Sequence, residues 1–157
     1  MMITAWRIVQ SRHLQTAFDG QGASQYPGRW NERGTPVVYT AGSLALAALE
    51  MLVHLPGPNI LQKYQSIPVS FDETLCRQLS QAELPPDWSD DPAPLSTRAL
   101  GTQWIADASS VVLAVPSAVV PIERVFLLNP RHPAFPEITI GEARQFHFDP
   151  RLLKTDY

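Results

Sequence analysis

Glu50 stands alone. Between Arg33 and Lys63 it is the sole Asp, Glu, Lys or Arg, set in the apolar run SLALAALEMLVHL from Ser43 to Leu55. A carboxylate isolated in an apolar helix must find a partner, change its ionisation or face a cleft. Two polar candidates precede it. Arg29 lies on the Gly-flanked turn GRWNERG, where its planar, permanently charged fork can be presented to a phosphate or carboxylate. Tyr39 ends the β-type run Pro36–Thr40 and offers a ring face and a hydroxyl. A fourth candidate, Ser117, follows Pro116 at the end of SVVLAV. No G-x-S-x-G pattern surrounds Ser117, so it reads as a hydroxyl donor rather than a nucleophile.

Each of the four also has a plainer role. Glu50 can pair with His54, one helical turn on. Arg29 alone is an ordinary surface arginine, Tyr39 alone a core residue, and Ser117 alone a turn serine. Their combination on a turn, a strand end and a helix says more than any one of them. Metal chemistry has little support: His13, His54, His132 and His147 lack ligand spacing, and Cys76 is the single cysteine. Neither G-x-x-x-x-G-K-[ST] nor G-x-G-x-x-G occurs.

The elements that must position these residues belong to a chain of 157 residues, enough for one domain with a sizeable core. Its apolar fraction of 45% is globular, and its charged fraction of 17% argues against disorder. A net charge of −3 opposes a broad nucleic-acid footprint. One cysteine allows no intrachain disulfide, which points to an intracellular, cytoplasmic protein. MMITAWRIVQSRH has no apolar stretch of signal-peptide type, and the Leu44–Leu55 run is too short to span a bilayer.

Period and punctuation predict an α+β fold with many irregular connections, in keeping with 15 prolines. Strands are expected at Thr4–Val9, Pro36–Tyr39, Tyr64–Phe71, Ser110–Val115, Glu123–Leu128 and Arg144–Phe148. Pro68 should push the third of these to an edge. Ser11–Phe18 reads as a short turn or helix, and Asp19–Gly28 as loop. The Ser43–Leu55 helix, capped by Ser43, is apolar nearly all round and should be buried on most sides, with Pro56-Gly57-Pro58 ending it. A short helix is expected at Glu73–Leu79. Another is expected at Ser96–Ala108, with Ser96 as cap, Leu100, Trp104 and Ala108 on one face, and Gly101 weakening it. Gln81–Pro94 reads as an acidic surface loop.

Two stretches, AFDGQGASQYPGRWNERGTPVVYTAGSLALAALEMLVHL (Ala17–Leu55) and VPSAVVPIERVFLLNPRHP (Val115–Pro133), resemble the RES-domain toxins of bacterial type II toxin–antitoxin modules. The Arg, Glu and Ser that name that domain match Arg29, Glu50 and Ser117. Val125 departs from the pattern, where many relatives would carry Asn, and Gln81–Ser96 matches nothing useful. The resemblance covers nearly the whole chain. It implies a single RES domain over residues 1–157, with an ADP-ribosyltransferase-like fold of short split β-sheets and a few helices around an NAD cleft. It further implies NAD+ as substrate with no prosthetic group, NAD depletion as the toxic effect, and an Xre-type helix-turn-helix antitoxin as partner, with a higher-order toxin–antitoxin complex as one arrangement. No direct nucleic-acid or membrane contact is expected.

The four residues suit that chemistry. Cleaving the nicotinamide–ribose bond gives an oxocarbenium-like transition state, as glycoside cleavage does. Glu50 would stabilise its charge and hold a 2′-hydroxyl, Arg29 and Ser117 would bind pyrophosphate or ribose, and Tyr39 would wall the nicotinamide ring. No metal is required. Two further functions remain open at this level: ADP-ribosylation of a macromolecule, and a non-catalytic module that binds a nucleotide or an antitoxin.

Overall fold

The computed structural model describes residues 1–55 and 57–153. Its eight strands are β1 (Met2–Gln10), β2 (Val38–Ala41), β3 (Tyr64–Asp72), β4 (Cys76–Gln78), β5 (Val112–Pro116), β6 (Arg124–Leu128), β7 (Thr139–Ile140) and β8 (Arg144–Phe146). Three α-helices accompany them: α1 (Gln21–Gln25), α2 (Leu44–Leu52) and α3 (Leu95–Asp107). The strands run in the order β4-β5-β6-β2-β1-β3-β7, with β8 also on β3. β4 and β5 are parallel; the other pairs are antiparallel.

The sheet is nearly cut in two. β1 pairs with β3 from Met2–Asp72 to Gln10–Tyr64, and β2 pairs with β6 along its whole length. Between β1 and β2 a single pair remains, Trp6 opposite Ala41. Arg7 closes part of the gap: its Nη1 donates to the Tyr39 carbonyl at 3.0 Å and its Nε to the Ala17 carbonyl at 2.6 Å. Side chains supply here what a continued backbone ladder would have supplied. Burial lowers the Arg7 guanidinium to about 10, opposed by the nearby Asp19 charge. Arg7 therefore stays charged at neutral pH.

Alternation along β2 sends Val38 to one face and Tyr39 and Ala41 to the other. Val38 joins a core of Ala5, Val69, Phe71, Val112, Phe126 and Leu128. On the opposite face Ala41 packs with Leu46 and Ala47 of α2. Tyr39 packs there with Trp104 and Leu100 of α3 and with Leu113 and Leu127. Both long helices thus lie over one face of the sheet, α2 at the Ala41 end and α3 at the Tyr39 end.

Several local expectations fail for identifiable reasons. Asp19–Gly28 is not all loop. Gly20, at φ +74°, takes the left-handed turn just before the helix, and Asp19 Oδ1 accepts from the Gln21 N–H at 2.9 Å, so α1 can start. β3 is not an edge, since β1 lies on one side and β7 and β8 on the other. Pro68 falls in the gap between β7 and β8, where its missing N–H breaks no ladder while its carbonyl accepts from Gly141 N at 2.8 Å. Glu73–Leu79 is a 3-10 turn, Glu73–Leu75, followed by β4. Docking beside β5 overrides the helical pattern of so short a stretch.

The two long helices also differ from expectation. Ser43 caps α2 as predicted, its Oγ accepting from Leu46 N at 3.0 Å. Yet α2 buries only the Leu46–Ala47 side among its described residues, with Leu49 41% and, just past its end, Val53 57% exposed. It lies on a sheet, so one stripe suffices. Its end at Leu52 precedes Pro56, which lies outside the described residues. α3 begins at Leu95, and Ser96 does not cap it: Ser96 Oγ donates to Asp87 Oδ1 at 2.6 Å. Trp104 is buried, whereas Ala108 ends the helix in the left-handed region at φ 50°.

Candidate active site

The turn that carries Arg29 is built around Asn31, fully buried at 0% exposure. Its Oδ1 accepts from Gly28 N at 2.9 Å and from the Tyr39 hydroxyl at 2.6 Å. Its Nδ2 donates to the carbonyls of Ala23 at 2.8 Å and Thr35 at 3.1 Å. Sequence reading passed over Asn31, although an asparagine between two arginines in a Gly-rich turn is the type that ties loops to themselves. The Tyr39 hydroxyl also accepts from Trp30 N at 3.0 Å. A Cβ on Gly28 would lie 2.7 Å from that hydroxyl, so the turn can close on the ring only through a glycine. Burial pushes the Tyr39 phenol up, opposed by the Trp30 hydrogen bond and by the positive charges of Arg98 and Arg29. The ring is partly buried and its tip is held on both sides.

Arg29 is half-buried. Its Nη1 donates to the carbonyls of Trp88 at 2.9 Å and Asp90 at 2.7 Å, both in the acidic loop that leads into α3. That loop is more than a surface connection: Leu84 and Trp88 pack against the core beside Tyr39. Arg33 is exposed and makes none of these contacts.

Glu50 lies three and four residues beyond Ala47 and Leu46, on the stripe of α2 that faces the sheet. Its partner is Ser117, whose Oγ donates to Glu50 Oε1 at 2.6 Å. The same Oγ accepts from Val119 N at 3.1 Å and Val120 N at 3.0 Å, and Ser117 is only 1% exposed. Two backbone N–H groups therefore polarise the hydroxyl toward the carboxylate. His54, the plainer candidate, is exposed and past the end of the helix.

The four residues named from sequence thus fall into two pairs. Glu50 and Ser117 touch directly, while Arg29 and Tyr39 are joined through the Gly28–Asn31 turn. Among the described residues no hydrogen bond links the pairs. A cavity of about 440 Å³ lies elsewhere, lined by Arg7, Arg12, His13, Gln25 and Tyr26 among others, and none of the four borders it. No cluster of potential metal ligands occurs among the described residues.

A nearly split, mostly antiparallel sheet with α2 and α3 over one face defines an α+β protein, in which α2 brings the Glu50 carboxylate to Ser117 just beyond the end of β5. Residues 4–149 match the family model of the RES domain, and the chain belongs to that family as a RES-domain toxin. It is 39% identical over 148 residues to "Toxin Res" of Yersinia enterocolitica, covering 94% of this chain and 97% of the relative. It is 36% identical over 159 residues to "Prs ADP-ribosylating toxin" of a Sphingobium species, covering 98% and 99%. Its fold matches a chain of the M. tuberculosis MbcT–MbcA toxin–antitoxin complex with a TM-score of 0.77, at 17% identity and with coverage of 98% and 87%. Among the described residues no helix is long and apolar enough to cross a membrane.

Proposed function

We propose that this chain is the toxin of a toxin–antitoxin pair that cleaves the nicotinamide–ribose bond of NAD+, with water or inorganic phosphate as acceptor. One observation carries the reading: the isolated Glu50 carboxylate is oriented at 2.6 Å by a buried serine. When the C1′–N bond breaks, its electron pair leaves with neutral nicotinamide and positive charge develops on the ribose. Glu50 faces that charge, and its Oε2 is available to the 2′-hydroxyl. The acceptor oxygen then adds to C1′, and water loses its proton in doing so. Arg29 retains Nε and Nη2 for the anionic part of the substrate, and Tyr39 supplies the ring beside it. A preoriented carboxylate of this kind contributes roughly 3–4 kcal/mol to lowering the barrier.

Incubation with NAD+, with and without phosphate, and identification of the products by mass tests the proposal. Free nicotinamide with ADP-ribose means hydrolysis; nicotinamide with ADP-ribose phosphate means phosphorolysis. NAD+ recovered intact after prolonged incubation with folded protein would sink it. A second reading, transfer of ADP-ribose to a macromolecule, is favoured by the printed name of the Sphingobium relative. Label from NAD+ that becomes bound to a component of cell extract would select it.

The partner on this reading is an antitoxin, as the MbcT–MbcA complex has for its own toxin. An Xre-type helix-turn-helix protein would supply DNA contact that this acidic chain does not. It would inhibit in the cytoplasm by placing an acidic group at Arg29, in competition with NAD+.

A further inference from the structure

Arg98 belongs to no motif singled out from the sequence. It sits in the first turn of α3, on the same stripe as Gly101 and Thr102. That stripe is pressed against the Arg29 turn. Thr102 Oγ1 accepts from Glu32 N at 3.0 Å, and a Cβ on Gly101 would stand 1.6 Å from the Trp30 carbonyl oxygen. Helical side chains lean toward their N-terminus. That lean would carry Arg98 toward the start of α3, where the acidic loop whose carbonyls hold Arg29 joins the helix.

Its Nε is buried and has no hydrogen-bond partner among the described residues. A buried donor left unpaired is costly and calls for an explanation, and it leaves the Arg98 guanidinium unanchored by any hydrogen bond through that nitrogen. Arg98 and Arg29 both act on the Tyr39 hydroxyl by their charge. Among the described residues neither has a carboxylate within ion-pair distance. The close ion pairs lie elsewhere, between the terminal amine and Asp72 and Glu73, between Arg77 and Glu83, and between Arg151 and Asp149. Both charges reach one tyrosine, so an anion placed beside it would gain from both.

We propose that Arg98 is the second cation of the site and that it and Arg29 together receive the diphosphate of the dinucleotide, one guanidinium to each phosphate. Planar forks suit adjacent phosphates, which accept two parallel hydrogen bonds each. This rests on the NAD+ reading above and assigns the part of the substrate that Arg29 and Arg98 hold. It assigns the diphosphate to the Tyr39 side of the site and leaves the ribose to Glu50, which Ser117 orients. Arg98 acts in binding and not on the reacting atoms.

The test is calorimetric titration of the full chain with inorganic pyrophosphate, ADP-ribose and, in a Glu50→Gln background, NAD+. Arg98→Gln should weaken all three by about 10–100-fold, the range for one lost charge-assisted hydrogen bond. It should also flatten the salt dependence of binding, while Arg98→Lys restores part of the affinity. Melting temperature should change little, because the removed donor has no partner to lose. Unchanged affinity in Arg98→Gln, or no pyrophosphate binding by the parent, overturns the inference. So does a lowered melting temperature that Arg98→Lys does not rescue, which would make Arg98 structural. If pyrophosphate binding depends on Arg98 but NAD+ does not bind at all, the cation pair stands and the dinucleotide reading falls.

Discussion

Replacing Ser117 with Ala removes one oxygen and three hydrogen bonds. The bond to Glu50 is charge-assisted and short, at 2.6 Å, and such bonds contribute about 1.5–3 kcal/mol. The N–H groups of Val119 and Val120 lose their acceptor as well, but both residues are half-exposed and water replaces part of it. Stability should fall by about 2–4 kcal/mol. In catalysis the carboxylate would keep its charge and lose its orientation. A loss in the lower part of the 1.5–3 kcal/mol range, fitting a half-exposed Glu50, lowers kcat by roughly 10–30-fold. The assay is NAD+ cleavage, with denaturant unfolding alongside, on the parent, Ser117→Ala, Glu50→Gln and the double variant. With Glu50→Gln already present, Ser117→Ala should cost little further activity, because the group it positions is gone. Losses that add on a logarithmic scale would mean that the hydroxyl and carboxylate act separately, and the positioning argument would be wrong.

Gly101→Ala should destabilise the fold by more than the ~1–3 kcal/mol of ordinary overpacking, because the new methyl would overlap the Trp30 carbonyl; urea unfolding checks this, and near-parental stability would refute the contact. Asn31→Ala takes a partner from several part-buried groups at once and should cost about 3–5 kcal/mol, with the Arg29 turn becoming open to protease before the rest of the chain. Burial raises the Cys76 thiol from 9.0 to about 11, so the folded chain keeps a proton that the unfolded chain releases. Its contribution is intact below pH 9 and is lost as pH rises toward 11, by about 1–2 kcal/mol given its partial exposure. Unfolding midpoints of the parent and Cys76→Ala should therefore differ in slope between pH 9 and 11, and parallel curves would exclude the thiol as the cause.

Much of this molecule is local in origin. The apolar periods of Thr4–Val9, Ser110–Val115 and Glu123–Leu128 predict strands because a buried strand needs nothing beyond its own side chains to declare itself. Ser43 declares the start of α2 because a cap bonds within three residues. The isolation of Glu50 is likewise a property of composition along the chain. What sequence could not contain was partnership over distance. Ser117 reaches Glu50 because β5 ends where α2 passes, a juxtaposition of residues far apart in the chain. Pro68 looked like an edge marker because sequence shows the missing donor and not the gap between β7 and β8 that makes it harmless. Gly101 looked like a weakness in α3 because propensity counts backbone entropy, whereas the tertiary contact counts the Trp30 carbonyl that leaves no room for a Cβ. Arg98 carried no signal at all: an arginine in a helix is ordinary until packing buries its Nε without a partner and brings its charge to bear on Tyr39. Types and local spacing are decided along the chain; which charges meet, and which are left without a partner, is decided only when the elements pack.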